Sequence, residues 1–280
     1  FQHQTIAELA LVVNTTATLS CQAEQGLVTG SVLLTPIQHW FFEQKLPEAH
    51  HDNQSILLEV SPKLQPEQLE VIIAQLLQHH DALRLRFLYY NQQQVSTENC
   101  SLNTDQGSLI TVKDLSDRTV TEQSSMVESI AAELQASLNL TEGPLLRVAL
   151  FQLGNQQTNR LFFATHHLAI DGVSWRIFLE DFASAWQQLH RGETITLPPK
   201  TTSFQQWAKQ LMEYALLESL VAELDDWLME AYSQVKPLLV DYPAEPSANT
   251  FANVSEVTVS LNVEQTRALL SEVPKAYRTQ

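Results

Sequence analysis

The residues best suited to chemistry in this chain are His166-His167-Leu168-Ala169-Ile170-Asp171-Gly172. They stand where an apolar run ends and a helical pattern begins, which puts them at the end of a strand. Neighbouring strand residues point to opposite faces, so one imidazole can face a cavity while the other packs inward. A histidine there can act as a general base, because its unperturbed pKa is about 6.5. Parity groups His167 with Leu161, Phe163 and Thr165, and His166 with Phe162 and Ala164. Both sets are largely apolar, so parity does not choose between the two. Asp171 can hold the turn, and Gly172 permits backbone angles that other residues resist. The competing reading has Asp171 capping the next helix and both histidines packed in the core.

Other chemistries find less support. Three His-His pairs occur, His50-His51, His79-His80 and His166-His167. Adjacent histidines on a strand diverge, and no third ligand has zinc-like spacing, so no metal is expected. Ser174 could join a Ser/His/Asp set, but no Gly-x-Ser-x-Gly elbow surrounds it. The 7 glycines are too dispersed for a phosphate loop. The net charge is −16, and no Lys or Arg falls in the first 44 positions. Without a basic patch, neither nucleic acid nor an anionic membrane surface is an expected partner. No run of 18 apolar residues suggests a membrane span. Cys21 and Cys100 lack metal spacing and read as reduced thiols of a cytoplasmic protein.

The elements that position the histidines follow from periodicity. With 44% hydrophobic and 17% charged residues over 280 positions, the chain is globular and holds one or two domains. Leu69, Ile72, Ile73, Leu76 and Leu77 form a 3.6-period stripe, predicting a helix over Pro66–His80. Trp175, Phe178, Leu179, Phe182 and Trp186 do the same for Gly172–Leu189. Further helices are expected at Thr5–Val13, Pro36–Gln44, Thr119–Leu138, Phe204–Leu217, Leu220–Tyr232 and Val263–Glu272, the last stopping at Pro274. Strands are expected at Asn53–Val60, Arg84–Tyr90 with a hairpin to about Val95, Leu109–Val112, Leu145–Leu153, Arg160–His166 and Ser255–Leu261. Residues 14–30 and 191–202 read as linkers. Both ends of the chain read as cuts through a longer polypeptide.

His166-His167-x-x-x-Asp171-Gly172 resembles the signature of the condensation-domain superfamily of nonribosomal peptide synthetases. Other segments agree in order. Leu34-Thr35-Pro36-Ile37-Gln38-His39-Trp40-Phe41-Phe42-Glu43 is similar to the opening motif of epimerization domains. His50-His51-Asp52-Asn53-Gln54-Ser55 and His80-Asp81-Ala82-Leu83-Arg84-Leu85-Arg86-Phe87 also resemble the family. Condensation domains usually place Trp directly after the Gly. Here Val173-Ser174-Trp175-Arg176 follows, which is the epimerization pattern. Phe1 to Ala10 resembles the last helix of a peptidyl carrier domain.

The resemblance implies an α/β fold of the chloramphenicol-acetyltransferase-like two-lobe type, with the first lobe complete and the second truncated. It divides the chain into a carrier helix at 1–14, a linker at 15–30, a first lobe at 31–200 and the start of a second lobe at 201–280. It implies L-to-D epimerisation of the α-carbon of an aminoacyl or peptidyl thioester. The substrate would arrive on the phosphopantetheine arm of an upstream carrier domain, with no intrinsic cofactor. His167, His166 and Asp171 are the expected catalytic residues, His167 the base, with Gly172, Arg84 and Trp175 in support. Arg84 is expected to pair with Asp171. The start of the helix after Gly172 is an expected source of positive dipole for an enolate-like intermediate. The partner Glu, in a Glu-Gly-His-Gly-Arg-Glu-like segment, is not among these 280 residues. Two rival readings are a condensation domain forming a peptide bond and a non-catalytic docking or scaffold remnant.

Overall fold

The computed structural model describes residues 23–90, 94–99, 109–154, 157–228, 235–236, 239, 241 and 253–278, with backbone alone for 89–90 and 94–99. The chain divides into two compact units, Phe1–Glu223 and Leu224–Gln280. The expected helix at Thr5–Val13 lies outside the described residues.

The first unit is mixed α/β. In chain order it contains β1 (Gly30–Val32), α1 (Pro36–Glu43), β2 (Asn53–Val60), α2 (Pro66–His79), β3 (Leu85–Tyr90), β4 (Gln94–Asn99), β5 (Ile110–Asp114) and α3 (Val120–Ala136). Then come β6 (Leu146–Gln152), β7 (Asn159–His166), α4 (Gly172–His190), α5 (Phe204–Ala215) and the short α6 (Glu218–Val221). Short 3-10 turns at Ala49–His51 and Asp81–Arg84 lead into β2 and β3. Residues 23–29 are irregular, but β1 begins inside the stretch read as linker.

A four-stranded sheet has the order β2-β7-β6-β5, antiparallel except for the parallel pair β5/β6. A three-stranded sheet has the order β1-β4-β3. β6 and β7 are buried on both faces, which explains their continuous apolar runs. One face of the larger sheet, with Leu161 and Phe163, packs into a cluster with Leu69, Ile72 and Leu76 of α2 and Trp175, Phe178 and Phe182 of α4. The Phe163 ring meets Phe178 and Phe182 edge-on at centroid distances of 5.3 and 5.4 Å. The other face, with Phe162 and Ala164, is covered by α3 through Val127, Ile130 and Leu134. Each fully buried Phe or Leu contributes roughly 1.5–3 kcal/mol, so β7, with Leu161 and Phe163 fully buried, is firmly anchored where it ends at His166.

Helix starts are set by local chemistry. Gln38 Oε1 accepts from Thr35 N at 3.0 Å ahead of α1, with Pro36 in the first turn. Glu122 Oε2 accepts from Thr119 N at 2.9 Å ahead of α3. Ala208 of α5 is buried with Val32, Phe41, Leu85 and Phe87, so within the first unit α5 packs beside β1 and β3.

The second unit departs from the expected elements. It contains α7 (Leu224–Trp227), α8 (Val263–Ser271) and α9 (Val273–Tyr277). The expected helix at Leu220–Tyr232 appears, within the described residues, as two separate turns, α6 and α7, with Ala222 and Glu223 between them. The expected strand at Ser255–Leu261 does not form: 254–262 are irregular, and Val257 and Val259 are exposed. Alternation of Val residues makes a strand only with a partner, and no described strand pairs with it. Pro274 does not end helical structure but sits in the first turn of α9, where its missing N–H costs nothing.

Candidate functional site

The histidine pair straddles the end of β7. His166 is its last residue and fully buried, whereas His167 is exposed. The backbone N–H of His167 donates to Asp52 O at 2.8 Å, so the strand end is stitched to the start of β2. Parity along β7 could not separate the two because both of its faces are buried. The separation comes from the chain leaving the sheet after His166.

The two rings are held in opposite proton states. His166 Nδ1 accepts from Leu168 N at 3.1 Å, so its proton lies on Nε2, which donates to Ala49 O at 2.8 Å. Its ring also stands edge-on to Phe41 at 5.8 Å. Burial lowers its pKa, with the Ala49 carbonyl pulling the other way. His166 is thus a neutral, fully occupied group inside the fold. His167 Nδ1 lies 2.8 Å from Ile170 O, an acceptor, so it carries the proton. Its Nε2 is left as a lone pair, 3.3 Å from Gln54 Nε2.

Asp171 is the N-cap of α4. Its Oδ1 accepts from Val173 N at 3.1 Å, Ser174 N at 2.7 Å and Ser174 Oγ at 2.6 Å. The Ser174 hydroxyl, then the Ser174 backbone N–H, hold its carboxyl below the usual carboxylate range. One expectation changes. The first turn of α4 does not offer its Val173 and Ser174 N–H groups to an intermediate, because Asp171 occupies them. Ser174 spends its hydroxyl proton on the same cap rather than on a histidine.

The expected Arg84–Asp171 pair does not form. Arg84 is buried and donates Nε to Leu77 O and Nη2 to Val28 O, both at 2.8 Å. It ties the end of α2 to the segment before β1, while Asp171 is satisfied within its own turn. Gly172 does not adopt a left-handed backbone conformation, and a Cβ there would meet nothing within 4 Å. Glycine is therefore not required by the backbone at this position, contrary to expectation. Trp175 is buried at 6% exposure, and its Nε1 donates to Gln54 Oε1 at 3.0 Å.

Gln54 is the site residue that motif reasoning did not single out. It sits on β2 opposite Thr165 of β7 and reaches His167 and Trp175 at once. The signals in the sequence are its place in the His50–Ser55 segment that resembles the family and an amide, beside Asn53, at the start of a strand that turns apolar at Ile56.

Of the other His-His pairs, His50 is structural: its Nδ1 accepts from Leu140 N at 2.9 Å. His79 and His80 do not diverge as they would on a strand. They close α2 with ring centroids 4.9 Å apart, and His80 Nε2 lies 3.0 Å from Asp181 Oδ2 of α4. The ligating atoms of these three residues all lie within 4.8 Å, so they are the group among the described residues whose donors could hold a metal. Burial lowers the pKa of both rings. The positive charge of Lys200 acts on His79, and the His80–Asp181 pair already joins α2 to α4. A cleft of about 460 Å³ opens beside this group, lined also by Ala169, Ile170, Ser174 and Trp207 but by neither His166 nor His167. Among the described residues no helix is long and apolar enough to cross a membrane.

Comparison with known proteins adds identity to this geometry. A linear gramicidin synthase protein of Brevibacillus parabrevis is 47% identical over 281 residues, covering 99% of this chain and 4% of that protein. The crystal structure of the epimerization domain from the third module of tyrocidine synthetase B is 33% identical, with a TM-score of 0.77 over 92% of this chain and 57% of that one. The starter condensation domain of rhizomide synthetase is 20% identical, with a TM-score of 0.61 over 74% of this chain and 49% of that one, and shares the fold. The chain thus spans a small part of its curated relative and about half of each solved chain. A family model described as Condensation domain matches residues 28–280, a stretch that runs through β2, both histidines and the capped start of α4. Matched over that length, the chain belongs to the condensation-domain family of nonribosomal peptide synthetases.

Proposed function

We propose that the domain to which this chain belongs epimerises the α-carbon of an aminoacyl or peptidyl thioester presented on a carrier's phosphopantetheine arm, with His167 as one of its two acid/base groups. The observation that carries the reading is the contrast between the rings: His166 is buried with both nitrogens engaged, and His167 is exposed with its proton fixed on Nδ1. A thioester acidifies the α-hydrogen. The Nε2 lone pair takes that proton from one face, and the electron pair moves into the thioester carbonyl as an enolate. A second acid outside these 280 residues returns a proton to the opposite face. His166 holds the strand end in place, and Asp171 sets the start of α4. In this reading 1–14 is the end of a carrier domain, 31–200 the first lobe and 201–280 the start of the second.

Peptide-bond formation is the second reading, favoured by the name of the matching family model. Identity favours epimerisation: 33% to an epimerization domain against 20% to a condensation domain. The test uses the chain continued through its second lobe, with an aminoacyl thioester on a carrier in deuterated water. Deuterium entering the α-carbon, with both diastereomers formed, is the expected result. A positioned base is worth roughly 10²–10⁴-fold, so His167→Ala should lower exchange at least about a hundredfold. Amide-bond formation without α-exchange would replace this proposal by the second reading.

A further inference from the structure

We propose that Gln54 is a positioning residue that selects the proton state of His167, and that Trp175 orients Gln54 for that task. The inference rests on His167 being the base.

An indole nitrogen only donates, so the Gln54 atom 3.0 Å from Trp175 Nε1 is the carbonyl oxygen. The amide cannot then turn without setting N–H against N–H. Its NH₂ group faces His167 Nε2 at 3.3 Å and needs an acceptor there. The opposite edge of the ring gives the same answer independently, because the Ile170 carbonyl 2.8 Å from Nδ1 needs a donor. Both constraints place the proton on Nδ1 and the lone pair on Nε2. A ring with Nε2–H would lose the Gln54 contact, and one without Nδ1–H would lose the Ile170 contact.

The selection is local rather than a property of the strand end. His166, one residue earlier, holds its proton on the other nitrogen, because its neighbours present the reverse pattern. It also accounts for the position of the tryptophan. Residues in a helix advance by about 100° each, so Val173 and Trp175 point roughly 200° apart. Val173 is 70% exposed, whereas Trp175 is turned onto the sheet and reaches Gln54. An indole at 173 would face away from β2 and leave the amide free to turn. At 3.3 Å the Gln54–His167 contact is long, so a substrate proton competes for the lone pair without displacing a strong bond.

The experiment has two arms. In the first, the chain is labelled with ¹⁵N-histidine and the ring nitrogens are read by NMR at neutral pH. In wild type the neutral His167 ring should carry its proton on Nδ1 rather than on Nε2. Gln54→Glu keeps an acceptor for Trp175 but presents a second one to His167, so Nε2 should gain a proton. Trp175→Phe removes the orienting donor, so the His167 signal should become a mixture of proton states. His166 should keep its own pattern in both variants, which reports that the fold survives. In the second arm, the intact domain carrying Gln54→Glu should lose about a hundredfold in α-proton exchange, as for loss of the base. An unchanged His167 proton state in both variants, with the His166 pattern intact, overturns this inference whatever the activity. The predicted ring shifts together with normal exchange in His167→Ala would instead overturn the catalytic reading and leave the role of Gln54 in positioning the ring standing.

Discussion

Replacing Asp171 by Asn or by Ala separates a cap from a chemical carboxylate. All three donors to Asp171 converge on one oxygen, Oδ1. An asparagine in the same rotamer keeps that oxygen and all three contacts; Asn and Asp are comparable N-caps. What it loses is the charge at the positive end of α4, worth roughly 0.3–1 kcal/mol. An alanine loses the acceptor as well, and cap removal costs about 0.5–2 kcal/mol. We therefore expect Asp171→Asn to cost about 0.3–1 kcal/mol and Asp171→Ala about 1–3 kcal/mol. The carboxyl titrates below its usual range in the fold, so its contribution is present above the unfolded value and is lost as pH falls through the lowered one. The gap between wild type and Asp171→Asn should close in acid. Urea denaturation of the chain at neutral and acid pH measures both differences. In the intact domain, Asp171→Asn should retain α-proton exchange to within severalfold, because Trp175, Gln54 and His167 stay in register. A folded Asp171→Asn variant with exchange reduced a hundredfold would refute the assignment of Asp171 as a cap and give the charge a chemical role.

Three further outcomes are expected. Gly143 has φ +81°, and a Cβ there would collide with the Arg86 guanidinium, whose Nη1 donates to Leu85 O at 2.7 Å; Gly143→Ala should lower stability by about 1–3 kcal/mol, and an unchanged denaturation midpoint would contradict this. Gly172→Ala should leave stability unchanged or raise it by up to about 1 kcal/mol, since Ala is the better helix former and meets no neighbour; a clear loss in the same assay would show a backbone requirement. Burial holds His166, His79 and His80 below the ordinary imidazole value of 6.5, so the unfolded chain binds more protons than the fold just below that pH. Stability should be full above about pH 6.5 and fall as pH drops toward 5, before the carboxylates titrate; a flat midpoint across that window would show that the rings take up protons in place.

Much of the first unit was legible because its pattern is carried by burial. The stripes of α2 and α4 and the apolar runs of β6 and β7 match the observed elements to within one residue at each end. β1 was not legible: three residues, Gly-Ser-Val, become a strand only because β4 pairs with them. Val257 and Val259 show the converse, a strand pattern without a described partner. At the site, the types and spacing of His166, His167 and Asp171 were readable, but their division of labour was not. It depends on which ring leaves the sheet, and on carbonyls of Ala49 and Ile170 that no side-chain pattern encodes. Arg84 was misassigned for a similar reason: its acceptors Leu77 O and Val28 O are backbone groups. Gln54 gained its meaning only when the register of β2 against β7 was fixed.

That register has a kinetic consequence. Gln54 and His167 are 113 positions apart in the chain, and Gln54 and Trp175 are 121 apart. The edge strand β2 is made early but, among the described strands, pairs with β7 alone, and β7 must also accept β6. Closing so large a loop costs entropy before any contact repays it, and long-range pairing slows folding accordingly. During synthesis β2 waits with an unpaired edge while more than a hundred residues emerge. The Trp175–Gln54–His167 alignment is then among the last features to assemble. Trp175 fluorescence on refolding should therefore mature in the slowest phase, after the helical signal of α2 and α3 has appeared.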